Sequence, residues 1–236
     1  MCKRPKTWYE KVYEFLTRKK IDDTQYDYLY SSRTVIKNQY YNHNVTPGFY
    51  GCDVWAEADK IIRPCLQKGM TMYYEIIGFL PNGGYIQKNY DYGCVPPKEG
   101  EPYTIGKNFK IQVYRITLTN VDGVVHEFSA REVQQYCEFV GLHPVEEYYY
   151  GFAKELYPEL NLDQHWSENF LTRLANDSIF NMECMSPTCS NKVPHEGLVI
   201  KVENMKSEAF KLKCFKFLDK EGKELDKGLT NIEDEA

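Results

Sequence analysis

Three short segments carry the residue types that phosphate chemistry requires. The run Tyr73-Tyr74-Glu75-Ile76-Ile77-Gly78 sets one carboxylate among apolar residues. An unpaired carboxylate is costly to bury, so Glu75 is expected to face a cleft and a ligand. The run Pro194-His195-Glu196-Gly197-Leu198-Val199-Ile200-Lys201 repeats the arrangement, and its glycine would let the backbone approach a ligand closely. In Lys211-Leu212-Lys213 the two ammonium groups are two residues apart. On a strand they point to the same side and can reach one phosphate. Singly, each segment also fits a solvated edge strand. In order, an acid-bearing strand, an acid-glycine strand and a Lys-x-Lys strand about 15 residues later form a specific pattern.

The elements that position these residues follow from periodicity. Thr7 to Lys20 has helical spacing, with Trp8, Val12, Phe15 and Leu16 on one face. Residues 26–33 alternate as a strand, and 38–50 form a loop rich in Asn, Tyr, Gly and Pro. A second helix is expected over 52–68, with Val54, Trp55, Ala58, Ile61, Ile62 and Cys65 inward and Gly69 closing it. Met70 to Leu80 reads as a strand, 81–84 as a turn and 85–107 as an extended loop. Phe109 to Thr119 is a strand that turns through Asn120-Val121-Asp122-Gly123 into Val124–Phe128. Ser129 and Glu132 make a capping box, Phe128 and Val133 a hydrophobic staple, and Gly141 ends the helix. Helical stretches near 151–157 and 163–175 precede two strands, His195–Glu203 and Glu208–Leu218. Strands and helices are mixed without regular βαβ alternation, which predicts an α+β domain with largely antiparallel sheets.

Composition bounds the function classes. A chain of 236 residues suits one domain, or one domain with a small appendage. Aromatic residues make up 15%, with 20 tyrosines, which suits a polar, half-open cleft and equally a β-rich fold. The net charge of −5 argues against nucleic-acid binding by bulk charge. The sign is uneven, with Lys3, Arg4, Lys6, Lys11, Arg18, Lys19 and Lys20 in the first 20 residues and Glu233, Asp234 and Glu235 at the end. Eight cysteines without an apolar leader predict free thiols in a reducing cytoplasm, and no run is long enough to span a membrane.

The ordered pattern resembles motifs III, IV and V of the covalent nucleotidyltransferases: DNA ligases, RNA ligases and mRNA capping enzymes. YYEIIG resembles motif III, with Tyr74 where glycine is usual. HEGLVIK resembles motif IV, KLK motif V, and Val113-Tyr114-Arg115-Ile116 lies where motif IIIa falls. Tyr30-Ser31-Ser32-Arg33 resembles the Ser-Arg segment that RNA ligases place after motif I. With CDVW, IQKNYDYGC, VYRITLTN and NKVPHEG, the chain looks most similar to ATP-dependent RNA ligases of tailed phages and their hosts, over residues 8–218.

The resemblance implies a ligase adenylation domain, ATP-grasp-like, with two sheets flanking a nucleotide cleft and helices at the periphery. It implies ATP and Mg²⁺ as cofactors and nucleic acid ends as partners, RNA foremost and DNA as the other possibility. RNA repair in a bacterial or phage-infected cytoplasm is the implied setting. Glu196 would help bind the metal, Glu75 would contact the nucleoside sugar, and Lys211 and Lys213 would hold phosphates. Arg33 would contact phosphate or the metal's hydration shell. Tyr114 or Ile111 would occupy the base-stacking position, and Lys201 closes the motif IV run on the nucleotide side. The domain is expected over 1–220, with 221–236 as an acidic, disordered tail.

The family's nucleophile is a lysine in motif I, Lys-x-x-Gly, and none precedes Arg33. The resemblance puts that motif about ten residues before the segment that CKRPKTWYEKV matches, so Met1 is expected to lie just downstream of it. Two other readings stay open: a non-catalytic nucleotide- or RNA-binding protein, and a capping-type or DNA ligase enzyme. Cys184 and Cys189, with His195 nearby, are weighed as half of a zinc site against an ordinary reduced turn. Residues 87–94 (QKNYDYGC) are read as a surface loop that could alternatively touch a nucleic acid end.

Overall fold

Apolar residues recur at alternate positions from Met70 onward, and this period of two builds the centre of the molecule. The structure is a computed structural model that describes residues 2–25, 27–32, 36–37, 50–177, 186, 188–203 and 208–226. The N-terminal part holds β1 (Cys2–Lys3), α1 (Trp8–Thr17), β2 (Thr24–Gln25), β3 (Tyr30–Ser31), β4 (Ile36–Lys37) and α2 (Val54–Ile62). The centre holds β5 (Met70–Gly78), β6 (Phe109–Thr119), β7 (Val125–Glu127), α3 (Ala130–Val140) and β8 (His143–Pro144). Then follow α4 (Ala153–Leu156), α5 (Trp166–Asn176), β9 (Gly197–Val202), β10 (Glu208–Lys213) and α6 (Phe215–Leu225). The class is α+β. Strands β5, β6 and β7 form an antiparallel sheet that β8 joins in parallel beside β6, and β9 and β10 form a separate antiparallel ladder.

Two helices cover one face of the central sheet. Val54, Ala58 and Ile62 of α2 and Val133 and Cys137 of α3 pack with Met72, Ile76, Phe109, Ile111, Val113 and Ile116. The α3 cap is as its sequence predicts. The Ser129 hydroxyl accepts from Glu132 N–H, the Glu132 carboxylate accepts from Ser129 N–H, and Gly141 closes the helix at φ 74°. Helix α2 is shorter than expected. It ends at Ile62 in a 3₁₀ turn over Arg63–Cys65, because Pro64 has no N–H to continue the ladder. Gly69 is therefore not a helix cap. It opens β5 at φ 78°, where a Cβ would lie 2.2 Å from the Thr119 carbonyl oxygen.

The stretch 85–107, expected as an extended loop, is folded onto the sheet edge by Asn108. This side chain is fully buried, donates to the Val95 carbonyl at 2.8 Å and accepts from Thr104 N–H at 2.8 Å. The second ladder has its own small core of Tyr157, Phe170, Leu174, Leu198 and Cys214. The strand expected to run to Leu218 ends at Lys213, and the chain continues as α6 across the domain boundary anticipated at 220. The rest of the anticipated tail, 227–236, lies outside the described residues, as does the loop over 38–49.

Helix α1 departs from expectation in its packing. Trp8 is 68% exposed, Phe15 83% and Leu16 73%, and none of its residues is buried. Periodicity predicted the helix but not a partner for its apolar face. Its start is fixed locally: Glu10 accepts from the Thr7 N–H and hydroxyl and pairs with Arg4. No described helix is long and apolar enough to cross a membrane.

Two measurements check this description. Replacing Asn108 by Ala leaves two buried backbone groups unpaired, so urea denaturation should show a loss of about 2–4 kcal/mol. A loss below about 1 kcal/mol would contradict the assigned role of Asn108. Hydrogen bonding from Arg4 and Thr7 holds the Glu10 carboxyl down to about 2. A depressed carboxyl stabilises the fold above its unfolded value and stops doing so as pH falls through the folded one. The α1 cap should therefore persist through pH 4 and open toward pH 2, read by NMR titration of Glu10.

Candidate functional site

Strand alternation decides which side chains face away from the core. On β5 the even positions pack inward, so Tyr73 and Glu75 point to the open face, where Glu75 pairs in register with Gln112. The ladder then shifts: Tyr73 pairs with Arg115 and Tyr74 with Val113, which leaves Tyr114 as the extra residue of a β-bulge. The bulge brings Tyr114 and Arg115 to the same open face. The Arg115 guanidinium lies 4.8 Å from the Tyr73 ring centroid and makes a bidentate pair with Glu127 at 2.9 and 2.7 Å. The Tyr114 and Tyr73 rings are 6.2 Å apart. Together these residues form the floor of an open cleft.

The β9–β10 ladder is the facing wall. Lys211 pairs with Val199 and Lys213 with Gly197, so both lysines lie on the side opposite the core residue Leu212. Each ammonium has a carboxylate partner. Lys211 forms an ion pair with Glu196, and Lys213 is held by Glu221 of α6 at 3.1 Å. The Lys201 ammonium crosses to the floor and donates to the Tyr114 carbonyl, which the bulge leaves available. Burial lowers the Lys201 pKa, against the raising pull of Glu127 and Glu203.

Glu75, Tyr114, Glu196, Lys201 and Lys211 thus line one cleft, and Lys213 lies behind Glu221, outside the lining. Ile111 does not. It is 1% exposed and sits in the core on the opposite face of β6, so Tyr114 is the aromatic available to a ligand. Arg33 lies outside the described residues, although Tyr30, Ser31 and Ser32 before it line the cleft. Gly197 is required for a reason other than ligand approach. At φ 144° its missing Cβ would lie 2.1 Å from the Leu212 carbonyl oxygen, so the adjoining strand fills the space.

The loop over 87–94 is a structural tie and not a free surface loop. Tyr90 is 5% exposed, and its hydroxyl donates to the Pro194 carbonyl at 3.4 Å. Asn191 accepts from Asp91 N–H at 3.0 Å and donates to the Asn89 carbonyl at 2.7 Å. Lys110 of β6 donates to the Tyr92 carbonyl at 2.6 Å. Burial, first, and then the fields of Cys189, Tyr90, Glu196 and Glu75 push the Tyr92 hydroxyl up, so both acids act on one tyrosine. The alternation Tyr90, Tyr92, Cys94 was the available signal for this tie. His195 beside Glu196 has its Nδ1 buried without a hydrogen-bond partner, and burial lowers its pKa.

No cluster of three or more His, Cys, Asp or Glu side chains suited to a metal ion occurs among the described residues. Cys189 is a free thiol, and Cys184 lies outside the described residues. Magnesium commonly takes one or two carboxylates and completes its shell with waters and substrate phosphates. Glu196 offers one such carboxylate, held in an ion pair by Lys211. Comparison with protein-family models, with characterised proteins and with solved structures finds no match to this chain.

The Asn191 tie is testable. Asn191→Ala should lower stability by about 1–2 kcal/mol. It should also raise amide hydrogen exchange selectively at 89–92, and unchanged exchange there would contradict the clamp.

Proposed function

We propose that this chain is the nucleotide-binding module of an ATP-dependent polynucleotide ligase acting on RNA ends. The reading rests on one observation. The acid-bearing strands, separate signals in the sequence, face a single cleft, and Lys211 and Lys213 lie on the wall that carries Glu196.

In the ligase reaction an amine attacks the α-phosphorus of ATP, a P–N bond forms and pyrophosphate leaves. Positioning and charge neutralisation do most of the catalytic work in such a transfer. Lys211 and Lys213 would exchange their carboxylate partners for phosphate oxygens. Glu196, released by Lys211, would present its carboxylate to Mg²⁺, which supplies charge neutralisation at the phosphates. Tyr114 would offer its ring to the base and Glu75 its carboxylate to the sugar hydroxyls.

A second reading is a module that binds nucleotide or RNA and does not form an enzyme–AMP adduct. Incubation of this chain, and of a form extended at its N-terminus by a Lys-x-x-Gly segment, with α-labelled ATP and Mg²⁺, followed by denaturing electrophoresis, separates the two. Label that survives denaturation and is lost in Glu196→Ala supports a ligase. Absence of label with retained ATP binding supports the binding module. Absence of ATP binding by calorimetry removes the ligase reading and leaves only an RNA-binding module. Where ATP binds, Lys211→Ala should weaken it by about tenfold, the magnitude of a charge-assisted hydrogen bond.

A further inference from the structure

We propose that helix α6 is autoinhibitory and that Glu221 occupies the place on Lys213 that a nucleotide phosphate takes. The inference rests on the reading of Lys213 as a phosphate-binding group. The chain leaves β10 at Lys213 and enters α6 two residues later, so the helix folds back beside the lysine. Both oxygens of the Glu221 carboxylate accept from the Lys213 ammonium, at 3.2 and 3.1 Å. The pair is largely withdrawn from solvent, with side chains 22% and 17% exposed. The Phe217 ring lies 5.5 Å from the same ammonium, and Lys220 reaches over the Tyr90 ring at 4.6 Å, joining α6 to the 87–94 tie. Phe217, Lys220 and Glu221 all line the cleft.

A carboxylate so placed neutralises the lysine and repels an incoming phosphate, which seeks the same donors. The contact is built to release. Phe217 is anchored in the second core, whereas Gly222, a poor helix former, directly follows Glu221. Unwinding α6 from its C-terminal end through Gly222 would free the turn that carries Glu221. A Cβ at Gly222 would meet no atom within 4 Å, so alanine there strengthens the helix without a clash.

Two variants move the balance in opposite directions. Glu221→Gln removes the competing charge, and Gly222→Ala holds the helix closed. ATP with Mg²⁺, and adenosine alone, are titrated into the full chain and each variant by calorimetry. Glu221→Gln should bind ATP about fivefold more tightly, the scale of one modest ion pair. Gly222→Ala should bind ATP about fivefold more weakly, the scale of a glycine-to-alanine change within a helix. Adenosine, which has no phosphate, should bind all three forms equally. If wild type binds ATP but Glu221→Gln binds it no more tightly, the proposal fails, and weaker binding would make Glu221 a positioning residue for Lys213. If Glu221→Gln is unstable, Gly222→Ala decides alone, and unchanged ATP affinity in it overturns the proposal. If neither ligand binds any form, the nucleotide reading falls together with the inference.

Discussion

Among the described residues the β9–β10 ladder shares no hydrogen-bonded edge with the central sheet, so polar ties fix how far apart the two walls of the cleft stand. Lys201 bonded to the Tyr114 carbonyl is one tie, the loop at 89–92 held by Asn191 and Pro194 is a second, and the Glu203 carboxylate, which accepts from Ala130 N–H and the Tyr150 hydroxyl, is a third. The first depends on the bulge at Tyr114, because a carbonyl in an unbroken ladder would be committed to its neighbouring strand. Without these ties, Glu75 and Glu196 would belong to separate surfaces.

The walls differ in rigidity. The floor backs onto the larger core, where Ile111, Val113 and Ile116 are almost wholly buried. The facing wall is a two-stranded ladder over a small core, and two-stranded ladders are marginal by themselves. Its Lys211–Glu196 pair is part-exposed, and such pairs contribute little to stability. Exchange of carboxylate partners for phosphate at Lys211 therefore costs the fold little. A stiff floor for the base and sugar and a yielding wall for the phosphates is a workable division for a site that must exchange partners.

Much of this was legible in the sequence where one local rule governed the outcome. Strand β6 matches its expected bounds because β-favouring residues run from Phe109 to the turn at Asn120, and α3 matches because its capping box and Gly141 act within a few residues. Legibility failed where a local rule met a competitor. Pro64 cut α2 short inside an otherwise helical pattern, and helical spacing in FKFLDKEGKEL overrode the strand expected to continue past Lys213. Of the site, the shared side of Lys211 and Lys213 follows from a period of two. The exclusion of Ile111 does too, once the strand's buried face is known. The clamp on 87–94 and the Lys201 tie depend on contacts more than 80 residues apart in sequence, and the bulge at Tyr114 on its pairing with β5, so no local pattern names their partners.

The central claim is that both walls serve one ligand, and hydrogen–deuterium exchange with and without ATP and Mg²⁺ tests it most directly. The account predicts simultaneous protection at 73–75 and 112–115 on the floor and at 196–201 and 211–213 on the facing wall. Protection confined to one wall, or absent from both while ATP is bound, would contradict it.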